Sequence, residues 1–441
     1  MEGIPHNPDM PIAWDFFTRP KGMWRLLLVS LFCLARAHAD DLAVTSPAWS
    51  FSGYGTLGYS HSTNDRLEFT RDLSQRTADD QNGLRPDNRI AMQAAYLFSP
   101  QTEAVVQAVL RDKVSEPSLG NALEWAYVAH RPVPELQIRV GRVGMDVFML
   151  SDYRNLGYAQ TSVRPPPEFY GFIPLYSLDG LDLAYTLNPG GESAIWTIKA
   201  QYGRGQESFQ LSASDTYQLE GDPFWDVSLV RESGPWRFKV GYTHLNVYSN
   251  APIDSLHSGL VLISSTMPGA IGDEADKLAG YTAFNGGWGS YENLGLSFDD
   301  GLWLAQAELG QIRSTRRLVY QGLNVYALLG RRIGKWTPYI GASRFKPRYD
   351  ALVAENDWSS VPLGLGGLQT TAIDLLNLMR IEQRAMTLGV RWDVQPKSAL
   401  KLQWDHIHIG AQGFGLWNFD ASQSARSAET NVLSVSWDWA F

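Results

Sequence analysis

Apolar and polar side chains alternate along many short segments of the chain. In the last segment, 431–441, five aromatic or aliphatic side chains share one face: Leu433, Val435, Trp437, Trp439 and Phe441. Successive side chains of a strand point to opposite faces, so this alternation predicts strands with one apolar and one polar face. The same alternation occurs in five further segments: 89–98, 196–202, 236–242, 386–393 and 400–405.

Counting such segments predicts sixteen strands along the chain. They lie near 49–62, 88–98, 102–113, 122–131, 135–142, 179–187, 193–203, 222–232, 236–247, 291–299, 302–313, 317–331, 335–345, 383–393, 397–410 and 429–441. Short turns alternate with longer loops, which are predicted at 63–87, 114–121, 143–178, 204–221, 248–290, 346–382 and 411–428. An even number of strands, with short turns on one side and long loops on the other, is the rule for bacterial membrane barrels.

A soluble sandwich or propeller and a membrane barrel both use this alternation. Aromatic residues mark the ends of the apolar face, as in the pairs Trp196/Tyr202 and Trp236/Tyr242, which is typical of the interfacial girdles of a lipid-facing band. Long basic side chains occupy the opposite face and suggest a wet lumen. The pattern therefore predicts an all-β, antiparallel transmembrane barrel of about sixteen strands, with both termini on the short-turn side, in the periplasm.

The composition excludes several other classes of protein. Of 441 residues, 44% are hydrophobic, but no stretch reaches the roughly 18–20 unbroken apolar residues of a membrane-spanning helix. A helical transporter is therefore excluded. The single cysteine, Cys33, has no partner for a disulfide within the chain. A formal net charge of −9 argues against a nucleic-acid partner.

The start of the chain has the layout of a secretory signal peptide. Lys21 and Arg25 precede an apolar run at 26–35, and Ala37-His38-Ala39 supplies small residues at a cleavage site. We expect cleavage before Asp40, so that 1–39 is the signal peptide and 40–441 the barrel domain. Residues 1–20 are an unusually long preface, and translation from Met10 or Met23 would remove some or all of it.

Several motifs resemble Gram-negative outer-membrane porins of the proteobacterial porin-like family, of the sixteen-stranded general-porin type. They are Phe51-Ser52-Gly53-Tyr54-Gly55, Leu123-Glu124-Trp125-Ala126, Val140-Gly141-Arg142, Ser151-Asp152-Tyr153-Arg154, Gly157-Tyr158-Ala159, Val163-Arg164-Pro165-Pro166 and the final Phe441. The resemblance covers 49–441. It implies a channel in the bacterial outer membrane, in contact with lipid and lipopolysaccharide, that lets small hydrophilic solutes and ions diffuse passively. It also implies a homotrimer, and insertion by the barrel-insertion machinery through Phe441. No cofactor is implied.

In sixteen-stranded porins the third outer loop folds into the barrel and narrows the pore, so the resemblance implies the same for 143–178. Pro165-Pro166-Pro167 would stiffen it. The candidate constriction residues in this loop are Asp146, Asp152, Tyr153, Arg154, Arg164 and Glu168. The candidate residues of the pore wall are Arg139, Lys199, Arg237, Lys239, Arg391, Lys401 and Asp405. Acidic loop groups opposite basic wall groups would create a transverse field that orients solutes and sets ion preference. The alternative is an apolar, aromatic loop packed over the barrel mouth, its charges solvated or paired.

Other activities have weaker signals. Asp405 alternates with His406 and His408 along one strand, so the histidines face away from it and the three cannot form a catalytic group. The acidic run 273–276 predicts a solvated loop rather than a metal site, and the glycine-rich 363–367 predicts a flexible loop. A substrate-selective channel with binding sites along its wall stays open. So does an adhesin or structural anchor whose pore is closed by the loops 248–290 and 346–382.

Overall fold

The computed structural model describes the following residues: 48–64, 67, 69–76, 82–115, 118–188, 194–212, 215–251, 253–361, 364–412 and 427–441. The predicted signal peptide lies outside these residues.

Sixteen strands form a closed antiparallel barrel. They are β1 (Trp49–Ser62), β2 (Arg89–Ser99), β3 (Thr102–Arg111), β4 (Leu123–Val133), β5 (Leu136–Gly144), β6 (Ser177–Leu187), β7 (Ala194–Ser212), β8 (Asp215–Ser233), β9 (Trp236–Ser249), β10 (Gly287–Asp299), β11 (Trp303–Ser314), β12 (Gly322–Arg331), β13 (Trp336–Pro347), β14 (Gln383–Gln395), β15 (Ser398–Ile409) and β16 (Ala428–Ala440). Each strand pairs with its neighbour in the chain, and β1 pairs with β16 from Tyr54↔Ala440 to Ser62↔Val432, which closes the sheet. The predicted sixteen-stranded barrel is confirmed.

The alternation of the sequence becomes the two faces of the barrel wall. In β12, Leu323, Val325 and Leu329 are exposed on the outer face, whereas Asn324 and Tyr326 are buried on the inner face. A closed barrel has no unpaired edge strand, and many of its outward residues are exposed apolar side chains, as a lipid-facing surface requires.

Aromatic side chains gather at the short-turn end of the outer face. Trp336 and Trp392 stack with ring centroids 5.1 Å apart, and Trp236 packs on Phe298 at 4.6 Å. Several turns at this end place a glycine at positive φ, as at Gly334 (61°), a conformation that costs other L-residues steric strain. The predicted aromatic ends of the strands are therefore present, with tight turns directly below them.

The long connections differ from the predicted loops in three places. Within the predicted loop 204–221, residues 205–212 and 215–221 continue the β7–β8 hairpin as paired strands. The loop 248–290 contains the helices α3 (Ile253–Thr266) and α4 (Ala270–Thr282), and 346–382 contains α5 (Gly366–Leu378). Two single-turn helices, α1 (Leu119–Ala122) and α2 (Pro167–Tyr170), precede them. None of the described helices has the length and apolar character that crossing a bilayer requires.

The three long helices pack on one another and on the loop 351–361. We call this assembly the helical cap: α3, α4, α5 and 351–361. Its core contains Leu260, Leu278, Trp358 and Ala372. The acidic run 273–276 is therefore helical rather than a solvated loop, and Gly366 and Gly367 begin α5 rather than forming a flexible loop.

One buried carboxylate of this run joins the parts of the cap. The Glu274 carboxylate accepts hydrogen bonds from the backbone N–H groups of Glu355 and Asn356 at 2.9 and 3.0 Å. The side chains of Asn356, Trp358 and Gln369 donate further bonds at 2.9–3.0 Å. Burial would raise the pKa of Glu274, but these hydrogen bonds to its charged form bring the pKa below its usual value.

Candidate functional site

The segment 145–176, between β5 and β6, contacts side chains on the polar face of strands around the barrel. We call it the inner loop. It contains α2 and two short 3₁₀ turns, Ser151–Tyr153 and Gly157–Ala159. The polar face of the wall is its inner face, so the inner loop contacts the inside of the barrel. All the predicted constriction residues belong to this loop, and their contacts are described in turn below.

Arg164 is held by a cluster of polar side chains on the wall. Its guanidinium donates to Asp87 at 2.6 and 2.9 Å and to Asp405 at 3.3 Å. The hydroxyls of Ser60 and Ser434 lie 2.8 and 2.6 Å from Nη2. Arg164 is 1% exposed. Its positive charge is therefore neutralised by buried carboxylates instead of facing water.

Basic wall residues hold the inner loop through its backbone. Lys401 Nζ donates to the carbonyls of Gly157 and Ser162, both at 2.8 Å, and pairs with Asp438 at 3.1 Å. Arg391 donates to the carbonyls of Tyr158 and Gln160 at 2.7 and 2.8 Å. These bonds join backbone carbonyls of the inner loop to side chains of the wall.

Asp146 is bound by two wall lysines at the start of the inner loop. Its carboxylate lies 2.9 Å from Lys239 Nζ and 3.3 Å from Lys199 Nζ, and Ser228 donates to it at 2.7 Å. Lys239 also donates to the carbonyls of Asp146 and Phe148. Burial alone would raise the pKa of Asp146, but the two ammonium groups lower it to about 2.

Glu168 and Tyr170 bind the opposite side of the wall. Glu168 accepts hydrogen bonds from Ser343 at 2.7 Å and from Gln383 at 2.6 Å, and burial raises the pKa of its carboxyl group. The Tyr170 hydroxyl donates to Glu308 of β11, which also accepts from Met149 N at 2.9 Å. Together with the three preceding sets of contacts, these contacts attach the inner loop to several strands of the wall.

Arg154 acts within the loop rather than on the wall. It donates to the carbonyls of Tyr170, Ile173 and Leu175 and lies over the Tyr176 ring at 4.0 Å. Only 6% of its surface is exposed. Arg154 therefore stabilises the fold of the inner loop.

The remaining predicted residues keep more contact with water. Asp152 is half-exposed and lies 3.3 Å from Lys199, while Tyr153 is partly buried beside it. Arg139 pairs with Asp182 at 2.8 Å, and Arg237 lies 3.5 Å from Glu232. Most of the predicted loop and wall charges thus meet in direct pairs rather than facing one another across water.

A polar cleft of about 280 Å³ separates the inner loop from β1–β4. Its polar lining residues are Ser52, Tyr54, Gln93, Gln107, Glu124, Ser151, Asp152, Arg154, Asn155 and Tyr176. Only Asp152 and Arg154 among these were predicted as constriction residues. Gln93 and Gln107 could have been found, since both fall at inward positions of their strands. Glu124, which lies 3.6 Å from Arg111, belongs to the motif Leu123-Glu124-Trp125-Ala126 but was not predicted to line the pore.

Part of the inner face of the wall is apolar, beside its polar and charged positions. Phe148, Phe169 and Phe172 of the inner loop pack on inward side chains of the wall. The aromatic members on the wall are Phe224, Tyr291, Tyr326 and Phe345. The alternation of the sequence shows which side chains face inward. It does not show that some of the inward positions near the long loops are apolar and are covered by the inner loop.

The histidine pair lies on the outer face of β15, away from Asp405. Trp404 and His406 stack on the outer face of β15, and the rings of His406 and His408 contact Asn431 and Glu429 of β16 at 3.1 Å. Asp405 points inward to Arg164. Among the described residues, no group of three or more histidine, cysteine or acidic side chains is placed to hold a metal ion.

Comparison with known proteins identifies the fold. No protein-family model matches the chain, and no curated protein matches it. Salmonella typhi OmpF, solved in complex with daunomycin, is similar in structure with a TM-score of 0.52, at 11% identity over 91% of this chain and 100% of that one. OmpT of Vibrio cholerae covers 91% of this chain and 100% of its own, at 10% identity and a TM-score of 0.48. Pseudomonas putida OprB covers 89% and 94% respectively, also at 10% identity and a TM-score of 0.48. The likeness to OmpF establishes a porin-type barrel fold.

Proposed function

We propose that this protein is a porin-like channel of the bacterial outer membrane through which small hydrophilic solutes and ions diffuse. The observation that carries the proposal is the polar cleft between the inner loop and β1–β4, inside a closed barrel with an apolar outer face. Such an outer face suits contact with lipid. A polar cleft inside the barrel suits water and hydrated solutes.

The inner loop serves as the constriction in this proposal. The inner loop is attached to the wall through Arg164, Asp146 and Glu168, and the polar cleft lies on the side of β1–β4. Asp152 and Glu124 bring negative charge to that opening, and Arg154 brings a largely buried positive charge. Solutes that pass here would encounter fixed charges at close range, and these would set ion preference.

Export and assembly follow the same proposal. The signal peptide at 1–39 would direct the chain to the periplasm, where the insertion machinery would bind the C-terminal strand. Phe441 N donates to Gly53 O at 2.9 Å, so the last residue takes part in joining β16 to β1. We further propose a homotrimer surrounded by lipid and lipopolysaccharide, and no enzymatic role.

A substrate-selective channel is the second candidate. The apolar packing between the inner loop and one side of the wall favours it, because a general diffusion pore gains nothing from an apolar vestibule. The two candidates differ in their response to solute: conductance that saturates steeply with one solute would indicate selectivity.

Single-channel recording of refolded protein in a planar bilayer tests the channel. We expect stepwise openings, and a lower conductance in Q93W because Gln93 lines the polar cleft. M92W is the matched control, since Met92 is 40% exposed on the outer face one residue away, and its conductance should equal that of the unchanged protein. Silence from protein shown to be folded and inserted would overturn the proposal, as would equal conductance in Q93W and M92W.

A further inference from the structure

A second cavity lies on the other side of the inner loop, at the long-loop end of the barrel. We call it the apolar cavity. Its floor is formed by Met145, Val147 and Phe172 of the inner loop, and its side by inward residues of the wall such as Leu245 of β9. Ile253 at the start of α3 and Met379 at the end of α5 line it from the helical cap. Three separate parts of the structure therefore line it.

The chemistry of the lining is uniform. No charged side chain of the described residues lines the cavity, and its few polar groups are serine, threonine and tyrosine hydroxyls. One of these, Thr243, already donates to Asp226 at 2.6 Å. Ions and strongly hydrated solutes would lose water here without gaining partners. A neutral apolar molecule would instead replace unfavourable contact between water and the lining.

The volume and the aromatic lining of the cavity narrow the class of ligand further. The cavity volume is about 150 Å³, and an engineered cavity of about this size lined by leucine, isoleucine and phenylalanine stays dry and binds benzene. The rings of Phe172, Phe224, Tyr291 and Tyr320 contribute to the lining. Aromatic rings gain from edge-to-face and offset contacts with one another, beyond the area that they bury.

We propose that the apolar cavity is a binding site for a neutral molecule with a single aromatic ring. The site lies beside the constriction of the proposed channel, because Met145 and Val147 flank Asp146, which Lys239 and Lys199 hold. Neutral aromatic molecules would then be one class of solute for that channel. Only the route by which the ligand reaches the cavity rests on the proposed function. Binding itself requires no conduction.

Diffraction from crystals of the unchanged protein locates the ligand directly. Crystals are soaked with bromobenzene, and separate crystals are pressurised with xenon as a probe of apolar space. We expect anomalous density for bromine and for xenon between Phe172 and Leu245. Occupancy by xenon alone would show a cavity that does not accept an aromatic ring, and it would overturn the proposal. So would empty cavities with both probes.

Binding in a bilayer is measured by ¹⁹F NMR titration of fluorobenzene into protein in lipid nanodiscs. Filling the cavity in L245W should weaken saturable binding by about tenfold or more, because the added indole takes the space in which the ligand makes its dispersion contacts. V247F places a smaller ring in the same cavity and is measured in parallel with L245W, so that the test does not depend on the fit of tryptophan. V240W is the control, since Val240 lies on the outer face of the same strand.

The outcomes separate this proposal from that of the channel. Equal binding by the cavity variants and V240W would mean that fluorobenzene only partitions into lipid, which overturns the site. A protein that binds fluorobenzene but conducts no current would retain the site and lose the channel.

Discussion

Arg164 of the inner loop and Asp87, two residues before β2, form an ion pair that is almost completely excluded from water. Their closest atoms, Nη2 and Oδ2, are 2.6 Å apart, and each side chain is 1% exposed. Asp405 lies 3.3 Å from the same guanidinium. One arginine thus neutralises two wall carboxylates, and the inner loop cannot leave the wall without exposing or stranding these charges.

Removing Arg164 should destabilise the barrel strongly. R164A leaves Asp87 and Asp405 buried without their cation, and breaking a buried pair in this way costs about 3–5 kcal/mol. R142A is the control, because Arg142 pairs with Asp179 on the exposed outer face and such pairs contribute about 1 kcal/mol or less. Thermal unfolding monitored by circular dichroism compares the variants. Similar melting temperatures for R164A and R142A would contradict the role given to Arg164.

Neutralising Asp152 should shift ion selectivity towards anions. Asp152 lines the polar cleft and is half-exposed, so its charge acts on ions in the proposed pathway. The reversal potential of D152N in a salt gradient measures the shift, and D179N is the matched control because Asp179 lies on the outer face. The charge assignment fails if D152N and D179N give the same reversal potential.

Acid should loosen the helical cap through Glu274. The pKa of this carboxyl group is lower in the folded protein than in the unfolded chain, so its stabilisation is complete above the unfolded value of about 4.3 and is lost as the pH falls through the folded value. E274Q should lose about 1–3 kcal/mol of cap stability at pH 7, because an amide cannot accept all the hydrogen bonds of the carboxylate.

Hydrogen exchange of α4 and α5, followed against pH, measures the loosening of the cap. D276N serves as the control, since Asp276 is exposed on the same helix. Cap protection that is independent of pH in the unchanged protein would rule out this role for Glu274.

Glu168 should act in the opposite direction. Burial raises the pKa of its carboxyl group in the folded protein, so the stabilisation is complete below the unfolded value and is lost as the pH rises through the folded value. The E168Q side chain is neutral at every pH and keeps the contacts with Ser343 and Gln383. We therefore expect E168Q to melt at a higher temperature than the unchanged protein at pH 7 and at an equal temperature near pH 4.

The prediction for Glu168 has a matched control and an outcome that would contradict it. E232Q changes an exposed glutamate of the wall and should melt as the unchanged protein does at both pH values. A lower melting temperature for E168Q at pH 7 would show that the carboxylate is charged and favourable in the folded state.

The helices of the helical cap were not predicted from the sequence. The alternation that predicted strands has no counterpart in 248–290, and the helices there were missed because their apolar residues repeat at the helical period over only 13 or 14 residues. The extension of the β7–β8 hairpin was missed for a different reason. Beyond the apolar band its strands no longer separate lipid from lumen, so the alternation weakens although backbone pairing continues.

The sequence by itself determined the barrel, the number of strands and the face to which each wall residue points. These follow from local parity, since the direction of a strand side chain depends only on whether its position is odd or even. Only the tertiary structure decided what the inward residues meet. Arg164 lies 77 and 241 residues from the two carboxylates that it joins, and Lys401 binds backbone carbonyls, which every residue carries and no side-chain pattern marks. Such pairings depend on where a closed barrel brings distant segments together, and they leave a polar cleft and an apolar cavity on either side of one loop.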